Sequence, residues 1–311
     1  MEAHNFFVNK DGHLRSGWRI TFFAIAFLVC AKLFQAVASV ATSVALGGQP
    51  RSVVGGGRFL IAAIVLFSAA TLIGWGCGAV FEQLPFRSLG WWPHRGWWKN
   101  LALGSGIGAA SLLLAAGFVT VTRGITFTFN QTAGTSIGKT LVGSAVIFVL
   151  AGSAEEALFR GYPLQTLTRA KLVWLGVLLT SVAFAIAHLK NPNASAGLPF
   201  INTAVAGVWL AVAYLRTRSL WFPLGLHWSW NWIQASLLGI PVSGIDRIAP
   251  APLLHAMNAG PDWLTGGAYG IEGGAACTVA LIISTIVVWR TKLVAKSDDY
   301  VPTLAPSETN E

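Results

Sequence analysis

Charged residues are scarce in this sequence. Only 11% of the 311 residues are Asp, Glu, Lys or Arg, whereas a soluble domain carries about 25%. With 54% hydrophobic residues, the chain lacks the polar surface that a water-soluble domain needs. The composition therefore excludes a soluble globular protein and predicts one integral membrane domain with no separate soluble domain.

Cysteine is also rare. Cys30, Cys77 and Cys277 are far apart and lie inside apolar runs, so they form neither a disulfide framework nor a metal-ligand pattern. The net charge of +9 comes from basic residues in short loops beside apolar runs. This distribution is typical of membrane orientation and of contact with anionic lipid headgroups. We therefore expect the lipid bilayer as a partner and do not expect nucleic acid.

Long apolar runs occupy most of the chain. A transmembrane helix needs roughly 20 apolar residues, and eight runs approach that length. The expected fold class is all-α, a polytopic transmembrane helical bundle of about eight spans. The predicted spans are 18–46, 59–80, 100–122, 141–167, 172–190, 198–215, 220–240 and 268–289.

Basic residues concentrate in the loops on one side of this arrangement. If both termini are cytoplasmic, most Lys and Arg residues fall in cytoplasmic loops, as the positive-inside rule requires. We predict a cytoplasmic segment 1–17, a membrane domain 18–290 and a polar, disordered tail 291–311. The many Ala, Gly and Trp residues favour a multi-pass protein of the bacterial plasma (inner) membrane.

Three alternate glycines stand near the start of the third span. Gly104, Gly106 and Gly108 weakly resemble a nucleotide-binding fingerprint. No strand is expected before them and their surroundings are apolar, so we interpret them as sites of close helix packing.

Two adjacent glutamates lie at the end of the fourth apolar run. Ionisable groups inside a bilayer are costly and are often functional. Glu156 and Arg160 are four residues apart and can form an ion pair. Adjacent helical residues point in different directions, so Glu155 is left to face the bundle interior, where it could act as a general base. The alternative is that both glutamates only mark a helix end.

Two later runs carry histidines. Phe184 and His188 share one face of the fifth span, and His227 and Asn231 share one face of the seventh. Taken alone, each pair could be a packing or hydrogen-bonding feature without chemistry. Together with Glu155, they provide a base, a residue that holds water and two donors for an oxyanion.

The depths of these residues do not agree at first sight. If helices begin at the expected loops, His188 lies about 25 Å from the cytoplasmic end of its span and His227 only about 10 Å. The levels match only if the fifth helix is tilted or begins late, or if the fourth span carries Glu155 deep.

The three motifs resemble those of one family. Glu-Glu-x-x-x-Arg-Gly at 155–161, Phe-x-x-x-His at 184–188 and His-x-x-x-Asn at 227–231 are similar to the motifs of CPBP proteins. This family comprises CAAX prenyl endopeptidases, bacteriocin-processing enzymes, the abortive-infection proteins and lysostaphin resistance proteins. The resemblance covers roughly residues 141–235.

The resemblance implies a fold and an activity. It implies an all-helical intramembrane core and endopeptidase activity on membrane-associated peptides or proteins. By carry-over, Glu155 would be the catalytic glutamate, His188 would orient the water, and His227 and Asn231 would stabilise the oxyanion. The implied supporting residues are Glu156, Arg160 and Phe184.

Two questions remain open from the sequence. Zinc bound by Glu155, His188 and His227 is an alternative to a metal-free, glutamate-activated water. We expect no cofactor, because no His-Glu-x-x-His helix is present and the histidines come from different helices. The competing functions are a non-catalytic scaffold or bacteriocin immunity protein of the same fold and, less favoured, a small-solute or proton transporter.

Overall fold

Apolar helices form most of the described protein. The computed structural model describes residues 6–9, 12–45 and 55–298. Two short strands pair in this part of the chain, β1 (Ile125–Phe129) and β2 (Leu254–Asn258). The helices are α1 (Ser16–Ala45), α2 (Gly55–Glu82), α3 (Trp97–Val121), α4 (Gly134–Glu156), α5 (Tyr162–Arg169), α6 (Val173–His188), α7 (Leu198–Thr217), α8 (Trp221–Trp232), α9 (Asp262–Thr265) and α10 (Ala275–Arg290).

The predicted helical membrane bundle is confirmed. Five helices of the described part are long and apolar enough to cross a membrane, and α6 and α10 are shorter apolar helices. The number of spans and the side on which the termini lie stay predictions. The five long helices are Ser16–Val37, Phe59–Glu82, Trp97–Val121, Gly134–Arg169 and Leu198–Thr217.

A small sheet was not expected in an all-α protein. Strands β1 and β2 are antiparallel, with Ile125 opposite Asn258 and Phe129 opposite Leu254. Ile125 is buried, whereas Phe129 is exposed. The sheet ties the connection after α3 to the long segment between α8 and α10, so it adds to the bundle without changing its helical class.

Helices α4 and α5 form one long rod. A π-helical turn at Ala157–Gly161 joins them, and such turns inside α-helices are frequent at functional sites. Residues 170–172 then turn the chain, and α6 returns antiparallel to the rod. The rod therefore carries the predicted glutamates at its middle, away from its ends.

The closest helix contact joins α3 and α8. A Cβ atom on Gly104 would lie 2.4 Å from the carbonyl oxygen of Phe222, and one on Gly108 would lie 2.4 Å from that of Leu226. A Cβ atom on Gly225 of α8 would likewise lie 2.4 Å from the carbonyl oxygen of Leu101. The close packing predicted for the glycines is thus confirmed at 104 and 108, whereas a Cβ on Gly106 would meet nothing within 4 Å.

The turn before α8 is buried inside the protein. Thr217, Ser219 and Leu220 are fully buried. The Leu220 amide donates to the carbonyl oxygen of Gly90 at 3.0 Å, and the Ser297 amide donates to that of Thr217 at 2.7 Å. Two segments, 86–96 and 291–298, therefore cover this turn. Helix α8 begins inside the protein, behind these two segments.

The beginning of the predicted tail contacts the bundle. Asn100 exchanges two hydrogen bonds with the backbone of Ala295, at 2.7 and 2.9 Å. Together with the bond from the Ser297 amide to Thr217, these bonds hold residues 291–298 against the bundle. Residues 299–311 of the predicted tail, and residues 1–5, 10 and 11 of the predicted N-terminal segment, lie outside the described residues.

A buried cluster of charges joins three helices at the far end of the rod. Glu82 of α2 accepts from Arg19 of α1 at 3.0 Å and from Arg169 of α5 at 2.7 Å. The Glu82 side chain is fully buried, and both arginines are nearly so. One carboxylate thus pairs with two guanidinium groups, and the cluster holds α1, α2 and α5 together.

We expect glycine substitutions in α3 to separate packing from helix propensity. Gly108→Ala should lower the free energy of unfolding by about 1–3 kcal/mol because its methyl group would collide with α8. The matched change Gly106→Ala should be neutral or stabilising by up to about 1 kcal/mol, since alanine favours a helix. Thermal unfolding in detergent measures both, and equal melting temperatures would contradict the close contact.

Candidate active site

The two adjacent glutamates of α4 have different surroundings. Glu156 is fully buried, whereas the Glu155 side chain is 33% exposed. Glu155 lines a cavity of about 340 Å³ within the bundle. The prediction that the two carboxylates face different directions is confirmed.

Glu156 holds two other residues. Its Oε1 atom accepts from Nη1 of Arg160 at 3.2 Å and from Nδ1 of His227 at 2.8 Å. Nη2 of Arg160 donates to the carbonyl oxygen of Gly207 in α7 at 3.1 Å. The predicted ion pair of Glu156 and Arg160 is confirmed. The bond to His227 was not predicted, and it links α4 to α8.

Both histidines direct Nε2 towards Glu155. Oε2 of Glu155 lies 3.9 Å from Nε2 of His188 and 3.6 Å from Nε2 of His227. Nδ1 of His188 is 2.8 Å from the carbonyl oxygen of Phe184. Each Nδ1 thus faces an acceptor and is the protonated nitrogen, which fixes the ring orientation and leaves Nε2 for the cavity.

The ring of Phe184 packs among these side chains. Its centroid lies 4.5 Å from that of His188 and 6.1 Å from that of His227. The Arg160 guanidinium lies 4.6 Å from the same ring, within the range of a cation–π contact. Phe184 therefore fills the space between the buried ion pair and the two imidazoles.

The structure explains how the histidines reach one level. The rod of α4 and α5 and the returning α6 are two arms of a hairpin, and Glu155 and His188 each lie about 22 Å from the turn at 170–172. His227 comes soon after the start of α8, but that start is itself buried below segments 86–96 and 291–298. The rod thus carries Glu155 to the level of His188, and the buried start of α8, which was not predicted, brings His227 to the same level.

All four predicted catalytic residues border one cavity. Glu155, His188, His227 and Asn231 line it. Asn231 lies one turn beyond His227 and is half-buried. Glu156 and Arg160 lie behind the cavity wall, and Phe184 belongs to the wall itself. Their roles in catalysis stay predictions.

Further polar residues line the same cavity. The side chains of Asn191, Asn202, Ser243 and Glu272 contribute to its wall. Glu272 and Asn202 lie inside predicted spans, so their polar character in an apolar run was a usable signal. Asn191 and Ser243 lie in loops, where polar residues are ordinary and give no signal.

The comparisons with known proteins agree with the motif resemblance. Residues 137–233 match the family model described as Type II CAAX prenyl endopeptidase Rce1-like. This match contains all eight motif residues and supports the CPBP/CAAX protease family. At the level of the family, it supports a CAAX-protease-like intramembrane endopeptidase.

One curated relative aligns with part of the chain. It is the "Uncharacterized 24.3 kDa protein" of Escherichia coli, 33% identical over 107 residues. The alignment covers 34% of this chain and 46% of that protein, so the chain matches about half the length of this relative. No solved structure gives a significant match.

We expect the buried pair of Glu156 and Arg160 to be coupled. Glu156→Gln leaves the arginine without its partner and should lower the free energy of unfolding by about 3–5 kcal/mol. Arg160→Met should have a similar cost. In the double variant the two losses should not add, because no uncompensated charge remains. Thermal unfolding of the four proteins measures the coupling, and additive losses would contradict it.

Proposed function

We propose that the chain is an intramembrane endopeptidase in which Glu155 activates water for attack on a peptide bond. The observation that carries the proposal is the position of Glu155 Oε2, 3.6 and 3.9 Å from two imidazole nitrogens in a single cavity. These distances exceed a direct hydrogen bond. They suit a carboxylate and two imidazoles that share a small third group between them, such as the attacking water.

The proposed reaction begins with a proton transfer. Glu155 accepts a proton from the water while Nε2 of His188, unprotonated because Nδ1 donates to Phe184, accepts a hydrogen bond from the same water. The water oxygen then forms a bond with the substrate carbonyl carbon. The negative charge that develops on the carbonyl oxygen needs donors.

Two side chains of α8 supply those donors. The carboxylate of Glu156 stabilises a positive charge on His227, so that Nε2–H donates to the oxyanion together with the Asn231 amide. When the tetrahedral intermediate collapses, the carbon–nitrogen bond breaks and Glu155 returns its proton to the leaving amine. The products are a carboxylic acid, which then releases its proton to water, and an amine.

The remaining cavity wall suits a membrane-associated substrate. One side is apolar and includes Phe59, Ala63 and Leu66 of α2, together with Leu158. An apolar wall excludes water and strengthens the electrostatic interactions of the polar groups. The proposed substrates are peptides or proteins held in the bilayer, and the proposed location is the bacterial plasma membrane.

Zinc catalysis is an alternative that one observation favours. Two Nε2 atoms directed at one carboxylate oxygen, with each Nδ1 held by an acceptor, also resemble a metal site. Ligand atoms about 3.4 Å apart would suit zinc bonds of about 2.1 Å, and the distances of 3.6 and 3.9 Å from Glu155 to the two histidines are slightly longer. Among residues 6–9, 12–45 and 55–298, no three His, Cys, Asp or Glu side chains, these three included, lie close enough together to hold a metal ion as they stand. Bound zinc would polarise the carbonyl and activate water.

We expect Glu155→Gln to abolish cleavage of membrane-anchored peptides. Loss of a general base should lower kcat by about 100- to 10,000-fold, and Asn231→Ala should lower it by about 100- to 1,000-fold through the oxyanion. Mass spectrometry of new peptide ends from purified protein in detergent measures both effects. The matched control is Asp262→Asn, which removes an exposed carboxylate outside the cavity.

The same proteins separate the enzyme from its rivals. Equal cleavage by wild type and Glu155→Gln would overturn the proposed role of Glu155. A scaffold or immunity protein would keep its cellular effect in the Glu155→Gln variant. Such a result, with no differing peptide termini between the two membranes, would favour the non-catalytic reading.

We expect a zinc chelator to leave the cleavage rate unchanged, because the proposed base acts without a metal. Elemental analysis of the purified protein should show less than one zinc per ten chains. Loss of cleavage with the chelator and its return on addition of zinc, together with stoichiometric bound zinc, would establish the metal-dependent alternative.

A further inference from the structure

Among the residues that the structure describes, four glutamates lie inside the bundle, and they fall into two pairs. Glu82 is compensated by Arg19 and Arg169, and Glu156 by Arg160 and His227. Glu155 and Glu272 both line the cavity. In the described part of the chain, neither forms an ion pair with a lysine or arginine. The proposed mechanism uses Glu155 and leaves Glu272 without a role.

Glu272 is held firmly at the cavity wall. Its Oε2 atom accepts from the Ser243 backbone amide and from the Ser243 hydroxyl, the latter at 2.8 Å. Its carbonyl oxygen accepts from the Asn202 amide at 2.8 Å. Both bonds to the carboxylate use one oxygen, so Oε1 is available to a further donor.

The wall around Glu272 is polar, unlike the wall formed by α2. Asn191, Asn202 and Ser243 line the cavity beside it. A carboxylate in a mostly apolar cavity loses hydration, and a cation that enters the cavity compensates this loss. Peptides carry two cationic groups of this kind, the side chain of Lys or Arg and a free N-terminal amine.

We propose that Glu272 is a specificity-determining residue that binds a cationic group of the substrate near the scissile bond. This inference rests on the proposed function. The substrate would place an apolar segment against α2 and a basic group against Glu272. The cavity would then select both for membrane association and for charge, and the catalytic residues would lie between the two walls.

A peptide series tests the inference. One membrane-anchored sequence would carry Lys, norleucine or Glu at successive positions on each side of the cleaved bond, with the N-terminus free or acetylated. Wild type, Glu272→Gln and the control Asp262→Asn would be compared by kcat/KM. Gln keeps an acceptor for Ser243 and removes only the charge.

The expected result is a preference for one basic position. Wild type should cleave the Lys peptide about 10- to 100-fold better than the norleucine peptide at one position, the range of a hydrogen bond to a charged group. Glu272→Gln should reduce this ratio to about 1, and Asp262→Asn should retain it. If acetylation alone removes the preference, the cationic group is the N-terminal amine. Glu272→Lys should shift the preference to the Glu peptide.

Two outcomes would overturn the inference. One is equal cleavage of Lys and norleucine peptides by wild type at every position and with both N-termini. The other is an unchanged Lys preference in Glu272→Gln. Fluorescence anisotropy measures peptide binding without cleavage, so it separates the failure of this inference from the failure of the proposed function.

The proteins compared are Glu155→Gln and the double variant Glu155→Gln with Glu272→Gln. If wild type cleaves nothing, tighter binding of the Lys peptide to Glu155→Gln that is lost in the double variant still supports a cation site.

Discussion

The site depends on the hydrogen bonds that the buried carboxylate of Glu156 accepts from Arg160 and His227. The carboxylate joins Arg160 of its own rod to His227 of α8, and Arg160 extends the connection to α7 through the carbonyl oxygen of Gly207. Burial of such charges is costly unless each is compensated, and here one oxygen accepts from two donors. The arrangement fixes the ring of His227 and thereby the position of its Nε2 beside Glu155. Phe184, packed on the same guanidinium, extends this order to His188.

Helix geometry places the adjacent residues Glu155 and Glu156 in different surroundings. Because successive side chains on a helix point in different directions, Glu156 enters the packed interior and Glu155 enters the cavity. The π-helical turn that follows continues the rod beyond them. The site therefore lies within the membrane domain, and the rod's far end is fixed by the separate charge cluster around Glu82. Among the described residues, Glu82 and Glu156 pair with arginines, whereas Glu155, which lines the cavity, does not.

Close backbone packing between α3 and α8 positions His227 and Asn231, two cavity residues of α8. Helix α8 starts from a buried turn covered by two surface segments and lies against the glycines of α3. A side chain at Gly104, Gly108 or Gly225 would push these helices apart. His227 and Asn231 are thus brought to the level of Glu155 by contacts of residues outside the three sequence motifs. The polar wall around Glu272 combines Asn191 and Asn202, which precede α8, with Ser243 and Glu272, which follow it.

The sequence by itself determined the membrane class, the helical bundle and four of the residues that border the cavity. Hydropathy acts over runs of about 20 residues, and the pairing of Glu156 with Arg160 is a contact within one helix, so both are readable locally. The tertiary structure alone decided the relative depths, the bond between Glu156 and His227, the β1–β2 sheet and the place of Glu272 in the cavity. Each of these depends on segments distant in the chain, where spacing carries no information about which side chains meet.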